Sequence, residues 1–317
     1  MSQTLGHICI SSLAQETMCY IGQHLVFNDA EEVINNLTGA GVNAKQIEGV
    51  CHQYGQWIED AENTAIKEDI CKEYASDKAN ELHYVSVDGA MYLTREESWK
   101  ESKLGRIYQP KDIVKVSPKR TELTASTYVT HLGDHKEFTT KMDYHLENLN
   151  HLVFIADGAR WIWKWTEQNY PESIQIVDYY HSKEHLCEFA KLYYKDDKQR
   201  HKWIEKYSEM MLTKGIDSVI EELKKLPKHP KTTGKRNTLI NYYQRNKDRM
   251  QYHQYLEKGL LIGSGAIESA HKDVLQQRLK LSGQRWTMKG FQQMAQLRVV
   301  YKSKQEHRIK QLCRNAA

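Results

Sequence analysis

Three carboxylates occupy positions that surface solubility does not explain. Asp88 interrupts the alternating stretch "HYVSVDGAMYL" (83–93), Asp157 ends the apolar run in "HLVFIADGA" (151–159), and Glu268 follows a Gly-Ser-Gly turn in "GLLIGSGAIESAHKD" (259–273). A carboxylate in or beside a buried strand is costly to desolvate unless something positive sits against it. Neighbouring strands of one sheet can set Asp88 beside Asp157, and a helix packed on that sheet can add Glu268. Three converging carboxylates repel one another and do not all ionise cheaply without cations. All-oxygen clusters of this kind suit Mg²⁺ or Mn²⁺, and two such ions form the clamp used for in-line phosphoryl transfer. The competing reading gives each acid only a turn or a cap, the usual employment of an Asp-Gly pair.

The elements that must position these acids follow from the hydrophobic period. "FNDAEEVINNLTG" (27–39) predicts a helix capped at Asn28 or Asp29 and stopped at Gly39, and "AKQIEGVCHQYGQWI" (44–58) predicts a second helix. The pair resembles a helix-turn-helix, but its acidity argues against phosphate contacts. From residue 83 the period becomes two. "HYVSVDGAMYL", "RIYQPKDIVKVS" and "ELTASTYVTHLG" read as three strands. "REESWKESKLGR" (95–106) reads as a solvated hairpin with Lys100, Lys103 and Arg106 free to touch DNA. Then follow a helix at 136–150, the strand at 151–159, a helix "RWIWKWTEQNY" stopped by Pro171, and a strand "SIQIVDYYH" (173–181). Strands in meander followed by helix, strand, helix, strand predict a mixed α/β sheet flanked by helices. Residues 183–258 predict an all-helical insertion broken by the basic loop "LPKHPKTTGKRN" (226–237). The expected division is a helical region 1–80, a catalytic core of 81–182 plus 259–285, the insertion 183–258, and a basic helical tail 286–317.

Composition narrows the class. With 317 residues, 40% hydrophobic and 27% charged, the chain reads as globular. No apolar run approaches bilayer length and the first residues lack signal-peptide character, so a cytoplasmic location is expected. Six scattered cysteines with no C-x-x-C pair read as reduced thiols. The net charge of +4 hides an asymmetry. Residues 1–87 carry 4 Lys and Arg against 13 Asp and Glu, whereas residues 269–317 carry 11 against 2. A basic end of this kind suits a polyanion such as nucleic acid.

Four segments, in order, carry a resemblance: "VSVDGAMYLTREESWKESKLGRIY", "VFIADGARWIWKW", "IVDYYHSKEHL" and "GSGAIESAHKDVLQQRLKLSGQRWT". They resemble the DDE transposases of bacterial insertion sequences, in particular the ISKra-four-like group, over roughly residues 84 to 300. The resemblance implies a ribonuclease-H-like core interrupted by an insertion before the last acid, two Mg²⁺ or Mn²⁺ ions, double-stranded DNA as substrate and target, and a homo-oligomer on DNA without any membrane. It implies that Asp88, Asp157 and Glu268 are the catalytic and metal-holding triad. "DYYH" is similar to the Asp-x-x-His signature of such enzymes, with Asp178 and His181 orienting the metal site or contacting DNA. Arg160, Lys272, Arg278, Lys280, Arg285 and Trp286 are the expected DNA contacts. Arg285 beside Trp286 suits phosphate binding and base stacking, although a buried Trp286 fits equally. Trp161, Trp163 and Trp165 are expected mostly in the core.

Two other readings compete. Members of that family usually carry more sequence before the first acid, often with DNA-binding modules, and here only 87 residues precede Asp88. A truncated, non-catalytic DNA-binding remnant fits this. "HSKEH" (181–185) matches H-x-x-E-H, an inverted zinc-protease pattern with His181 and His185 as ligands, Glu184 as base and Glu268 as third ligand. That reading leaves Asp88 and Asp157 unexplained. "GSGAIE" lacks the third glycine and the Lys-Ser/Thr of a nucleotide loop.

Overall fold

A computed structural model describes residues 10–70, 80–117 and 120–315. Its centre is a five-stranded mixed sheet in the order β5-β2-β1-β6-β7. The strands are β1 (Leu82–Thr94), β2 (Ser98–Tyr108), β5 (Thr127–Leu132), β6 (His151–Ala156) and β7 (Ile174–Val177). A separate hairpin pairs β3 (Ile113–Ser117) with β4 (Arg120–Leu123). β5 runs antiparallel to β2, whereas β6 is parallel to both β1 and β7. The parallel connection between β6 and β7 passes through the helix Arg160–Asn169, as parallel neighbours require. The mixed α/β class is the one the periodicity predicts.

Several strand boundaries differ from expectation: "ELTASTYVTHLG" is divided between β4 and β5, and two further changes have a local reason. "RIYQPKDIVKVS" is not one strand: Pro110 cannot donate to a ladder, and Gln109–Asp112 fold into a turn in which the Gln109 amide donates to Asp112 at 3.1 Å. β2 therefore ends at Tyr108 and β3 starts a new hairpin. The segment 95–106 is mostly β2 and not a solvated loop. Lys103 and Arg106 are 4% and 6% exposed, so neither is available to DNA. Lys103 Nζ donates to the Gly133 carbonyl and to Glu101, each at 2.6 Å. Arg106 donates to Ser126 and lies over the rings of Tyr108 and Tyr128. Lys100 pairs with Glu97.

The chain divides into two compact units. The first holds the described residues up to Glu81, Asp88–Asn150, and those from Ile267 onward. The second holds Leu82–Val87 and His151–Ala266. In the first, the helix Phe27–Thr38 ends at Gly39 as expected, but Val26 occupies the capping position and neither Asn28 nor Asp29 caps it. The next helix, Ala44–Lys67, starts with a full capping box between Asn43 and Gln46. It packs against Met288–Lys302 so closely that a side chain at Gly55 would collide with the Gln293 backbone. The core there gathers Met18, Ile47, Tyr54, Tyr92, Phe291 and Leu297. Lys141 reaches Glu59 at 2.7 Å and Glu62 at 3.4 Å, and His145 meets Glu62 at 2.8 Å, joining His135–Leu146 to Ala44–Lys67.

In the second unit β7 stops at Val177, because Asp178 leaves the strand to cap the helix Tyr179–Tyr193. Four further helices follow: Asp197–Thr213, Ile216–Lys225, Thr233–Asn246 and Tyr252–Glu257. The strand expected at 173–181 is thus shorter, and residues 179–181 belong to a helix that runs on into the stretch expected to be helical. Trp163 and Trp165 are buried, and Phe154 meets Trp165 edge-on.

Candidate functional site

Asp88 begins the first unit's share of β1, directly after the buried run His83–Val87. Its Oδ1 accepts from the Gly89 amide at 2.7 Å. His271 Nε2 stands 3.8 Å from Asp88 Oδ2. The His271 ring is 2% exposed, and burial pushes its pKa down while the Asp88 charge opposes that shift. His271 escaped the sequence reading because an isolated histidine in a polar helix carries no spacing signal.

Glu268 lies in the same unit, exposed in the first turn of Gly265–Ala270. That helix passes at once into a π-helical stretch, His271–Gln276. A π turn shifts the hydrogen-bond frame and strands carbonyls, which need other donors. Arg298, 2% exposed, supplies them: its guanidinium donates to the carbonyls of Val274 and Asp273, the latter at 2.6 Å, and to Gln23. Burial holds its pKa down at about 10, and Arg278 adds to that effect. Arg298 is thus the fastener of the segment that bears Glu268 and His271, another residue the motifs did not reveal.

In the second unit the parallel register sets Val87 opposite Ala156. Asp157 follows Ala156, and its Oδ1 accepts from the Ala159 amide at 2.9 Å. Gly158 lies under the Tyr242 ring: an added Cβ would sit 2.6 Å from the ring edge. Burial, then the negative charges of Asp157 and Asp178, push the Tyr242 hydroxyl up to about 12. His185 packs on Tyr242 with centroids 4.4 Å apart. Asp178 is 2% exposed. Its carboxylate accepts from the His181 amide at 2.9 Å and from the Ser264 amide, so it fixes the turn that leads toward Glu268. Tyr179 donates its amide to Ile262 at 2.8 Å, closing the same junction.

The "HSKEH" histidines are half-buried and meet acids of their own helix. His181 and His185 are 42% and 39% exposed and lie 3.6 and 3.8 Å from Glu184 and Glu188 on their own helix. Among the described residues no group of three or more His, Cys, Asp or Glu side chains is gathered in the geometry of a metal site. This holds for the "HSKEH" side chains and for Asp88, Asp157 and Glu268 alike.

The expected DNA contacts divide by exposure. Arg160, Lys272, Lys280 and Arg285 are exposed, and Lys280 Nζ sits 5.6 Å from the Tyr92 ring centre. Arg278 and Trp286 are 1% and 7% exposed. The Arg278 guanidinium covers the Trp286 ring at 5.3 Å and the Phe27 ring at 4.7 Å, so Trp286 offers no open face for a base.

A sequence profile of an uncharacterised protein family, UPF0236, matches residues 53–314, which include Asp88, Asp157, Asp178 and Glu268. The chain belongs to UPF0236. No curated protein matches it. The UPF0236 region covers the whole sheet and the helical stretch 179–257, whereas the helix Phe27–Thr38, Gln23 and the start of the helix Ala44–Lys67 precede it. Cys19, Cys51, Cys187 and Cys313 are free thiols; Cys9 and Cys71 lie outside the described residues. Among the described residues no helix is long and apolar enough to cross a membrane.

Proposed function

We propose that this chain cuts and joins DNA strands by metal-dependent phosphoryl transfer, as DDE transposases do, on a ribonuclease-H-like core. The observation that carries the reading is the register of two parallel strands: Val87 pairs with Ala156, and the next residue along each is an aspartate. A meander followed by two parallel strands, with a helical stretch before the final acid, supports the same fold assignment.

The roles assigned are these. Asp88 and Asp157 supply carboxylate oxygens, each oriented by a local amide, and Glu268 completes the set. Carboxylate oxygens are the donors that Mg²⁺ or Mn²⁺ takes, so the residues suit such ions by chemistry. Two bound ions would stabilise the attacking and leaving oxygens of an in-line displacement. Strand cutting by water and strand joining by a 3′ hydroxyl are the same displacement, so one set of carboxylates serves both. Asp178 positions the approach to Glu268, and His271 sits against Asp88. Exposed Lys272, Lys280, Arg285 and Arg160 are the cations assigned to the DNA backbone.

The test is cleavage and joining of labelled DNA carrying the element's ends, with purified chain and Mg²⁺. Asp88→Asn removes one negative donor and should slow cleavage by on the order of 10³-fold while end binding persists. Cleavage at the wild-type rate in that variant would overturn the assignment. Cutting without joining would reduce the activity to that of a nuclease, and binding without cutting would fit the non-catalytic remnant.

A further inference from the structure

The first unit contains a cavity of about 200 Å³ of which the phosphoryl-transfer reading uses only Arg285, at the mouth. At its base lies Arg278, 1% exposed, whose Nε donates to the Gly22 carbonyl at 3.1 Å. Turned to satisfy both its groups, the Gln284 amide accepts from Arg278 Nη1 at 3.1 Å and donates to the Arg278 carbonyl at 3.0 Å. Nη2 has no partner among the described residues, and neither has the buried Nε2 of His52 in the same wall. A guanidinium held out of water with a donor unused is costly, and a cavity at that donor is where an acceptor would repay it. Burial lowers the Arg278 pKa to about 10, which leaves it charged at neutral pH.

Two more cations complete the lining. Arg95 and Arg285 are exposed at the mouth, and Arg95 Nε donates to the Arg285 carbonyl at 3.2 Å. The backbone fixes both, since the Arg95 amide donates to the Trp286 carbonyl at 2.8 Å. Among the described residues Glu48 is the single carboxylate in the wall, against three guanidinium groups. The excess positive charge matches a phosphate monoester, which carries about −1.5 to −2 at neutral pH, better than a phosphodiester or a carboxylate. Both aromatic rings of the wall, Phe27 and Trp286, are covered by Arg278, so the cavity has no stacking surface for a base.

We propose that this cavity binds one terminal phosphate group, with Arg278 Nη2 as the buried donor and Arg95 and Arg285 closing over it. Two sources share that chemistry: the 5′-phosphate of a DNA end, and free inorganic phosphate. The DNA source rests on the proposed function; the phosphate cavity itself does not.

The experiment uses the full chain at constant ionic strength, with two readouts. Fluorescence anisotropy compares a duplex bearing a 5′-phosphate with the same duplex ending in a 5′-hydroxyl, and thermal melting is followed with and without inorganic phosphate. Arg278→Gln is the direct variant. Because it risks the fold, the exposed pair Arg95→Ala/Arg285→Ala is made beside it. The expected result is about tenfold tighter binding of the 5′-phosphorylated duplex, lost in the double variant, whose melting without ligand stays close to wild type. A phosphate-dependent rise in melting temperature that the double variant lacks, with no preference between duplexes, would keep the cavity and assign it to free phosphate. That outcome would leave the cleavage test of Asp88→Asn untouched. No preference between duplexes and no phosphate-dependent rise would overturn the proposal.

Discussion

The two units differ in the balance of polar groups they bury in a core. The first buries full charges: Lys103, Arg106, Lys141, Arg278 and Arg298 are all at most 6% exposed. Each is led to carbonyls, carboxylates or ring faces. The second buries two charges, Asp178 and Arg236, beside a set of hydroxyls: Tyr243 and Tyr252 are fully buried and Tyr179 and Tyr255 nearly so. The oxygens of Tyr243 and Tyr252 join Ser182 in a neutral network, with Tyr243 donating to the Ser182 carbonyl at 3.0 Å and Ser182 meeting Tyr252 at 2.8 Å. A buried charge that loses its partners costs several times what a lost neutral hydrogen bond costs. The first unit therefore holds its segments in register more strictly, and its tolerance of substitution should be lower.

Arg298→Met tests this at its strongest point. The substitution keeps much of the volume but removes the donors to Val274, Asp273 and Gln23, leaving buried carbonyls orphaned beside the π turn. The expected loss is about 3–5 kcal/mol in urea unfolding of the whole chain. Hydrogen exchange should also rise first in residues 267–279. A loss below about 1 kcal/mol would show that the buried charge fastens nothing.

The neutral network provides the contrast. Tyr243→Phe deletes one hydroxyl from a side chain that is 0% exposed, and the Ser182 carbonyl it served keeps its own helix partners. About 1 kcal/mol is expected, by the same urea measurement. A cost equal to that of Arg298→Met would erase the distinction between the units.

What the sequence disclosed follows the same division. Strand β6, the helix stop at Gly39 and the helical character of 183–258 were legible because period and punctuation act locally, whereas 179–181, expected in a strand, open a helix. Asp88 and Asp157 stood out because an acid in an apolar strand contradicts its surroundings. Arg278 and Arg298 did not: an arginine in a basic, polar helix looks solvated until tertiary contacts bury it, and both lie in segments whose apolar spacing is ordinary. Lys103 and Arg106 misled for the same reason, since alternating charges read as surface when their partners, Gly133 and Ser126, lie some 20 to 30 residues away. Gly158 was visible as half of an Asp-Gly turn, but its need to lie under Tyr242 depends on a residue 84 positions later.

The weakest expected effect concerns acid. Burial, the leading cause, lowers the pKa of His52 and of His131 below the ordinary 6.5 in the first unit, so both rings are held neutral. Around His52 stand Glu48, Arg278 and Lys289; around His131 stand Lys141, Glu137, Glu59 and Lys103. The unfolded chain binds protons at these rings more readily than the folded one. Their contribution is therefore complete only well above pH 6.5 and drains away as pH falls through 6.5 toward the lower folded values. Each ring accounts for roughly a few tenths of a kcal/mol between pH 7 and 6.5. His185 in the second unit is lowered by burial as well, but its side chain is 39% exposed, and solvent screening reduces its share. Native-state hydrogen exchange, corrected for the intrinsic pH dependence of exchange, should show residues 44–67 losing more protection than residues 179–193 over this interval. Equal losses in the two stretches would mean that the acid response does not follow the buried histidines and that the contrast between the units ends at the arginines.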